Sequence, residues 1–385
     1  MKLRLAVVGA AGVLVMSAGA AAASTSHGSN DSLRSLGAKI GLRIGTAVNA
    51  NKLNSDAKYT EIVADQFSTV TPENVMKWDA IEPTQGTLNF GPADQLVTFA
   101  KQHDQLVRGH TLLWHNQLPG WLTAGVGGGT IDNTQLKAIL KKHITDEVTH
   151  FKGKIWQWDV ANEFFANAWD PHPLADGING DDFWVQHLGE GIVADAFRWA
   201  HAADPHALLF YNDFNIAGED GTNAKADAVL AFAVKLKHAG VPIDGIGDQG
   251  HLDTQFGFSG TAMTQDLQRY ADNGFKVALT EVDVRTFIET TDANQTPTDQ
   301  LSTFAQPYEY SQMLKACLAV RSCISFTVWG FDDADSWVPG FFVGEGYADI
   351  YDVNLNPKPA YTDLQQDLQL AAHGAQHRTG SGAHS

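Results

Sequence analysis

A single α/β domain folded as a closed (β/α)8 TIM barrel is what this sequence predicts, and three observations carry the reading. Eight short, apolar, β-rich segments recur at 42–49, 69–74, 106–115, 156–163, 207–215, 245–252, 276–284 and 324–331, as strands would. Between them, stretches such as 94–103, 134–151, 191–203, 223–239, 262–273 and 307–320 repeat Leu, Ile, Val and Ala every three or four residues, which leaves one face of a helix apolar. Strand and helix alternating eight times close a parallel barrel. Polar and aromatic residues also gather where the β-rich segments end, the place where such a barrel keeps its chemistry. The competing fold is an open nucleotide-binding sheet. Its Gly-rich fingerprint does not follow the first segment, which continues as Gly45-Thr-Ala-Val-Asn-Ala-Asn-Lys52.

Taken in order, residues 1–23 read as a secretory signal. Lys2 and Arg4 precede an apolar run over 5–16, and Ala21, Ala22 and Ala23 offer a cleavage site. The run is shorter than the roughly 20 residues of a membrane span, so a secreted, extracellular protein is expected. Residues 24–34 read as a flexible leader, 35–370 as the catalytic domain, and 371–385, with His373, His377 and His384 among Gly and Ser, as a disordered tail.

The 385 residues, 44% hydrophobic, suffice for one large core. A formal charge of −18 repels nucleic acid and anionic membrane surfaces, and leaves a neutral polymer as an acceptable partner. No repeat, coiled coil or basic groove marks a docking surface, and a monomer is expected. Cys317 and Cys323 are the only cysteines. In an exported chain they predict a disulfide rather than a metal site, stapling a helix end to the next strand.

The chemistry centres on two carboxylates. Glu163 ends Trp156-Gln-Trp-Asp-Val-Ala-Asn-Glu163, and Glu281 lies in Val277-Ala-Leu-Thr-Glu-Val-Asp283. Residues two apart on a strand share a face, so Glu281 and Asp283 point the same way, as do Gln249 and His251. Burying such groups inside a barrel is costly unless they bond one another. A chain from Glu281 to His251 to Asp283 would meet that cost and hold Glu281 ionised. Asp159 shares the parity of Glu163 but lies deeper, and reads as scaffold. Trp78, Trp114, Trp121, Tyr211, Trp329 and Trp337 crowd the same strand ends, with His110, His115 and Lys77 among them. Aromatic platforms beside amides and paired carboxylates suit sugar rings, so the residues suggest a glycosidase. No short His-x-His or His-Glu-x-x-His motif calls for zinc, and neither a metal nor another cofactor is expected.

Seven blocks then bring a family into view: Glu73-Asn-Val-Met-Lys-Trp78, Gly109-His-Thr-Leu-Leu-Trp-His115, Trp158-Asp-Val-Ala-Asn-Glu163, Tyr211-Asn-Asp-Phe-Asn215, Gln249-Gly-His251, Thr280-Glu-Val-Asp283 and Val328-Trp-Gly330. In this order, over roughly 35 to 370, the chain resembles the endo-β-1,4-xylanases of glycoside hydrolase family 10. The resemblance implies a retaining enzyme acting on xylan and xylo-oligosaccharides, with Glu163 as acid/base and Glu281 as nucleophile. Asn162 would hold the 2-hydroxyl of the sugar, while His251, backed by Asp283, would orient Glu281. Glu73, Asn74, Lys77, His110, Trp114, Gln249, Trp329 and Trp337 would line the non-reducing side, and Tyr211 and Asn212 the leaving side. A cis peptide is expected at His110–Thr111. The chain departs from the family at Phe214, where Tyr is usual, and in the Gly-rich loop 125–129.

Overall fold

The structure is a computed structural model that describes residues 31–219 and 221–380. The expected signal (1–23), most of the expected leader and the last residues of the expected tail (381–385) lie outside the described residues. Eight parallel positions close a barrel. They are β1 (Arg43–Val48), β2 (Thr69–Pro72), β3 (Leu106–Leu113), β4 (Gln157–Asn162), β5 (Leu208–Asp213), β6 (Gly245–Asp248) with its continuation β7 (His251–Asp253), β8 (Lys276–Phe287) and β9 (Cys323–Val328). Closure comes from β9, which pairs with both β8 and β1. A two-residue strand, β10 (Glu345–Gly346), runs antiparallel to the end of β8.

The sixth segment is two strands instead of one. Gln249 and Gly250 interrupt it, and Gly250 adopts a φ of 75° with Val282 so close that a Cβ would sit 3.2 Å from its Cγ2. Glycine alone takes that conformation without strain. The break turns Gln249 toward β4 and leaves His251 paired in register with Asp283 on β8.

Alternation along the strands divides the core in two. Gly109 and Trp158 are register partners on β3 and β4, and a Cβ on Gly109 would meet the Trp158 ring at 2.3 Å. Their neighbours Arg108 and Asp159 therefore face the opposite way, into the barrel. Helices cover the outer face. In the helix Asn133–His150, Leu136, Leu140, Ile144 and Val148 are buried at four-residue spacing, and Asp132 with Gln135 closes a capping box at its start.

Three expected boundaries move. The leader ends before residue 34: Ser32 caps the helix Leu33–Ile40, in which Leu33 and Leu36 are buried. The tail does not begin at 371, because the helix Pro359–Gly380 runs past that residue. Leu364, Leu368 and Ala372 are buried along one stripe, which the polar residues between them obscured. The helix expected from Pro307 starts at Ser302, with the proline inside it.

Cys317 and Cys323 form the expected disulfide, joining the end of the helix Ser302–Ala319 to the start of β9 across 5.4 Å between Cα atoms. Removing it as Cys317→Ala/Cys323→Ala is expected to cost about 2–3 kcal/mol by the chain-entropy account. Thermal unfolding of wild type and double variant checks this, and coincident midpoints would contradict it.

Candidate active site

Glu281 lies on β8 with 4% of its surface exposed. An isolated charge there would be strongly disfavoured. Its Oε1 instead accepts from Asn212 Nδ2 at 2.8 Å and from Arg108 Nη2 at 3.3 Å, with His110 Nδ1 at 3.9 Å. Oε2 faces His251 Nε2 at 3.6 Å. The other side of His251 meets Asp283, Nδ1 to Oδ2 at 2.9 Å, and Trp337 Nε1 donates to that same oxygen at 2.7 Å. Arg108 is fixed in turn by Asp159, which it pairs with through Nε and Nη2, and by the Thr280 carbonyl, 2.8 Å from Nη1. Asp159 also holds His110 Nδ1 at 2.9 Å.

These contacts decide the charge. Burial pushes the Glu281 carboxyl upward, but His110, His251 and Arg108 together outweigh it and hold the group far below the usual carboxylate range. Burial likewise works against a charged His251, yet Asp283 and Glu281 prevail and push its pKa up to about 10. Glu281 is thus an anion and His251 a cation through the neutral range.

Glu163 is built differently. It follows β4 with a φ of 61°, a left-handed conformation uncommon outside glycine and frequent at functional sites. Its backbone N–H donates to the Asn212 carbonyl at 3.0 Å. Trp114 Nε1 donates to Oε2 at 2.8 Å and Gln249 Nε2 to Oε1 at 2.9 Å. The carboxyl is only half-buried, open to the cleft that Glu281 underlies.

Asn162 sits between them, 1% exposed. Its Oδ1 accepts from Asn212 Nδ2 at 2.7 Å and weakly from Gln249 at 3.4 Å, while its Nδ2 has no partner. A buried donor without an acceptor is uncommon and costly. It suits an oxygen on a ligand beside both carboxylates.

The remaining wall gathers as expected. Lys77 Nζ lies 5.0 Å from the Trp114 ring and 5.9 Å from that of Trp329, and donates to Asn74 Oδ1 at 3.2 Å. Burial lowers its pKa against the pull of Glu281, Glu73 and Glu163. Burial raises that of Glu73, which Lys77 opposes. Trp329 stands edge-on to His110 at 5.1 Å. The His110–Thr111 peptide is cis.

Several residues fall elsewhere. Tyr211, 1% exposed, accepts from the Phe164 N–H and donates to Asp213, so its hydroxyl is a strut and not a leaving-side contact. Asn212 is corrected too: wholly buried, it serves Glu281 and Asn162, and its Oδ1 accepts from Thr280 at 2.6 Å. Trp78 is core, stacked between His143 and Trp184. Trp121 donates to the Glu82 carbonyl, and His115 lies 3.0 Å from Asp182. Phe214 carries Lys225 Nζ 4.1 Å above its ring.

Arg108 is the residue that sequence reasoning missed. The signal was present, since Arg108 and His110 share a face of β3 by the same two-residue rule that joins Glu281 to Asp283. Among the described residues, His110, Asp159 and Glu281 are grouped closely enough to ligate a metal, but the cation these acids already meet is the Arg108 guanidinium.

A parallel barrel that presents one ionised carboxylate and one neutrally hydrogen-bonded carboxyl at its strand ends, among indoles, defines a glycoside hydrolase. The model of Glycosyl hydrolase family 10 matches residues 32–367, and the chain belongs to that family. It is 38% identical over 348 residues to endo-1,4-beta-xylanase B of Thermotoga neapolitana, covering 90% of this chain and 94% of that one. With endo-1,4-beta-xylanase C of Phanerodontia chrysosporium it shares 40% over 325 residues, 84% and 75% of the two chains. Among solved structures, xylanase 10B from Thermotoga petrophila in complex with xylobiose aligns with a TM-score of 0.79 at 37% identity, over 89% of this chain and 98% of that one.

The charge set makes two predictions. Replacing Arg108 by Met leaves Asp159 and Glu281 facing each other and is expected to cost about 3–5 kcal/mol, read by denaturant unfolding, and to move the acid limb of the rate profile to higher pH. A variant unchanged in both would contradict the assignment. The second concerns pH. Raised in the fold, His251 contributes stability that is complete below its ordinary pKa of 6.5 and is lost as pH climbs through about 10. Glu281, depressed in the fold, contributes above its ordinary 4.5 and loses that contribution as pH falls through its lower folded value. Urea unfolding at pH 6.5 and 9.5 should therefore show a larger alkaline loss in wild type than in His251→Gln; equal losses would contradict it.

Proposed function

We propose that this protein is an exported endo-1,4-β-xylanase that cleaves internal β-1,4-xylosidic bonds of xylan with retention of configuration. The observation that carries the reading is the contrast between the two glutamates. One is buried among cations and anionic, and the other is half-exposed and held by two neutral donors. The xylanase relatives and the xylobiose-bound neighbour support xylan as the substrate.

In this mechanism Glu281 Oε2, the oxygen left free by Arg108 and Asn212, attacks the anomeric carbon. Glu163 gives its proton to the departing glycosidic oxygen as that bond breaks, and a covalent glycosyl-enzyme forms. Water then gives a proton to the ionised Glu163 and attacks the same carbon, and the bond to Glu281 breaks. Double displacement asks for carboxyls about 5–5.5 Å apart. Asn162 Nδ2 holds the 2-hydroxyl, and Trp114, Trp329 and Trp337 carry the sugar faces. Every step uses protein side chains and water, so treatment with a chelator is expected to leave turnover intact.

Export is supported by residues 1–23 and by the Cys317–Cys323 disulfide, a bond at home outside the cytosol. No helix of the described residues is long and apolar enough to cross a membrane. We propose that the enzyme acts as a monomer.

Glu281→Gln is expected to fold and to lose nearly all turnover, whereas Glu163→Ala should fail on xylan yet still react with an aryl xylobioside whose leaving group needs no proton. Rates on linear xylan and soluble cellulose, with chromatography of early products, test the substrate. Fast release of long xylo-oligomers is expected; retained turnover in Glu281→Gln, or preference for cellulose, would remove the assignment.

A further inference from the structure

Beyond Trp337 the cleft wall continues as an aromatic ridge that the two-carboxylate chemistry does not use. The Phe341 ring centroid lies 5.4 Å from that of Trp337 and 4.8 Å from that of Phe342. Phe342 is covered by the Arg285 guanidinium at 4.0 Å, and that charge is met by Glu345 at 2.7 Å and Asp253 at 3.3 Å. Arg285 and Phe287 share a face of β8, and the pairing of β8 with β10 brings Val343 alongside through the bond from Ile288 N–H to the Gly344 carbonyl. Along this line Phe341 is 70% exposed, Val343 93% and Phe287 45%.

Exposed apolar surface held together in this way marks a binding site more often than a packing fault. We propose that Phe341 is a distal subsite that stacks on a sugar ring of the xylan chain after it passes Trp337. The inference rests on the xylanase reading above.

Two features of the ridge favour this occupant. The first is continuity with the cleft. Phe341 packs directly on Trp337, whose indole is bonded to Asp283 behind His251, so the ridge is registered to the nucleophile through fixed contacts. The second is charge. Arg285 meets two carboxylates, so its charge is balanced within the ridge, and a neutral ring with an apolar face suits a phenyl platform. A second copy of a chain with a formal charge of −18 would meet net repulsion instead.

The test compares wild type, Phe341→Ala and Phe341→Trp in the full chain, on linear xylan and on an aryl β-xylobioside too short to reach the ridge. Phe341→Ala is expected to lower kcat/KM on xylan about three- to tenfold, the scale of one stacking contact, chiefly through KM. The short substrate should change by less than about twofold, and Phe341→Trp should recover the loss on xylan. No loss on xylan overturns the subsite, as does an equal loss on both substrates, which would mean that Phe341 acts by packing Trp337. Sedimentation of wild type as a dimer that Phe341→Ala dissolves would assign the ridge to a second copy and also overturn it. A wild type unable to cleave xylan would overturn the functional reading itself.

Discussion

The buried ion set around Glu281 is the constraint on which the rest of the site depends. A carboxylate this deep would take up a proton unless opposite charge met it. Arg108 supplies that charge from β3, Asp159 on β4 keeps the guanidinium from collapsing onto Glu281 alone, and His251 closes the other side with Asp283 and Trp337 behind it. These groups come from four barrel positions, β3, β4, the β6–β7 position and β8, and from Trp337 beyond β9, so the ring must close before Glu281 is held as an anion. A buried ion pair gives weak evidence of net stability. Here it fixes a charge state, which chemistry needs and stability alone does not.

The second carboxyl is tied to the first through amides. Asn212 donates to both Glu281 and Asn162, and Gln249 donates to Glu163 and, at longer range, to Asn162. Amides carry no net charge, so they fix the relative positions of the two glutamates without forcing them into the same state. Retaining hydrolysis needs that difference, because one group must be an anion while the other carries a proton.

Much of the fold was legible because strand and helix periods are local. Eight segments were countable, and the two-residue rule joined Glu281 to Asp283. The same rule was available for Arg108 and His110 and for the opposite orientations of Tyr211 and Asn212, which as strand neighbours could not both face the cleft. Other features lie outside any period. Asn162 and Glu163 are adjacent yet both reach the site, because Glu163 leaves the strand with a left-handed φ. The break at Gly250 and the run of the final helix past 371 depend on what packs against them, which spacing in one chain does not encode. The family resemblance singled out Glu163 and Glu281 but set Asn212 on the leaving side; its hydrogen bonds put it under Glu281.

The most direct measurement is the ionisation of Glu281 itself, followed by 13C NMR of the glutamate carboxyls with Glu281→Gln used to assign the signal. The buried cation set predicts that this carboxylate stays charged from pH 7 down past the ordinary glutamate value of 4.5. A titration midpoint at or above 4.5 would contradict it, and with it the account of how this barrel keeps the proposed nucleophile ionised.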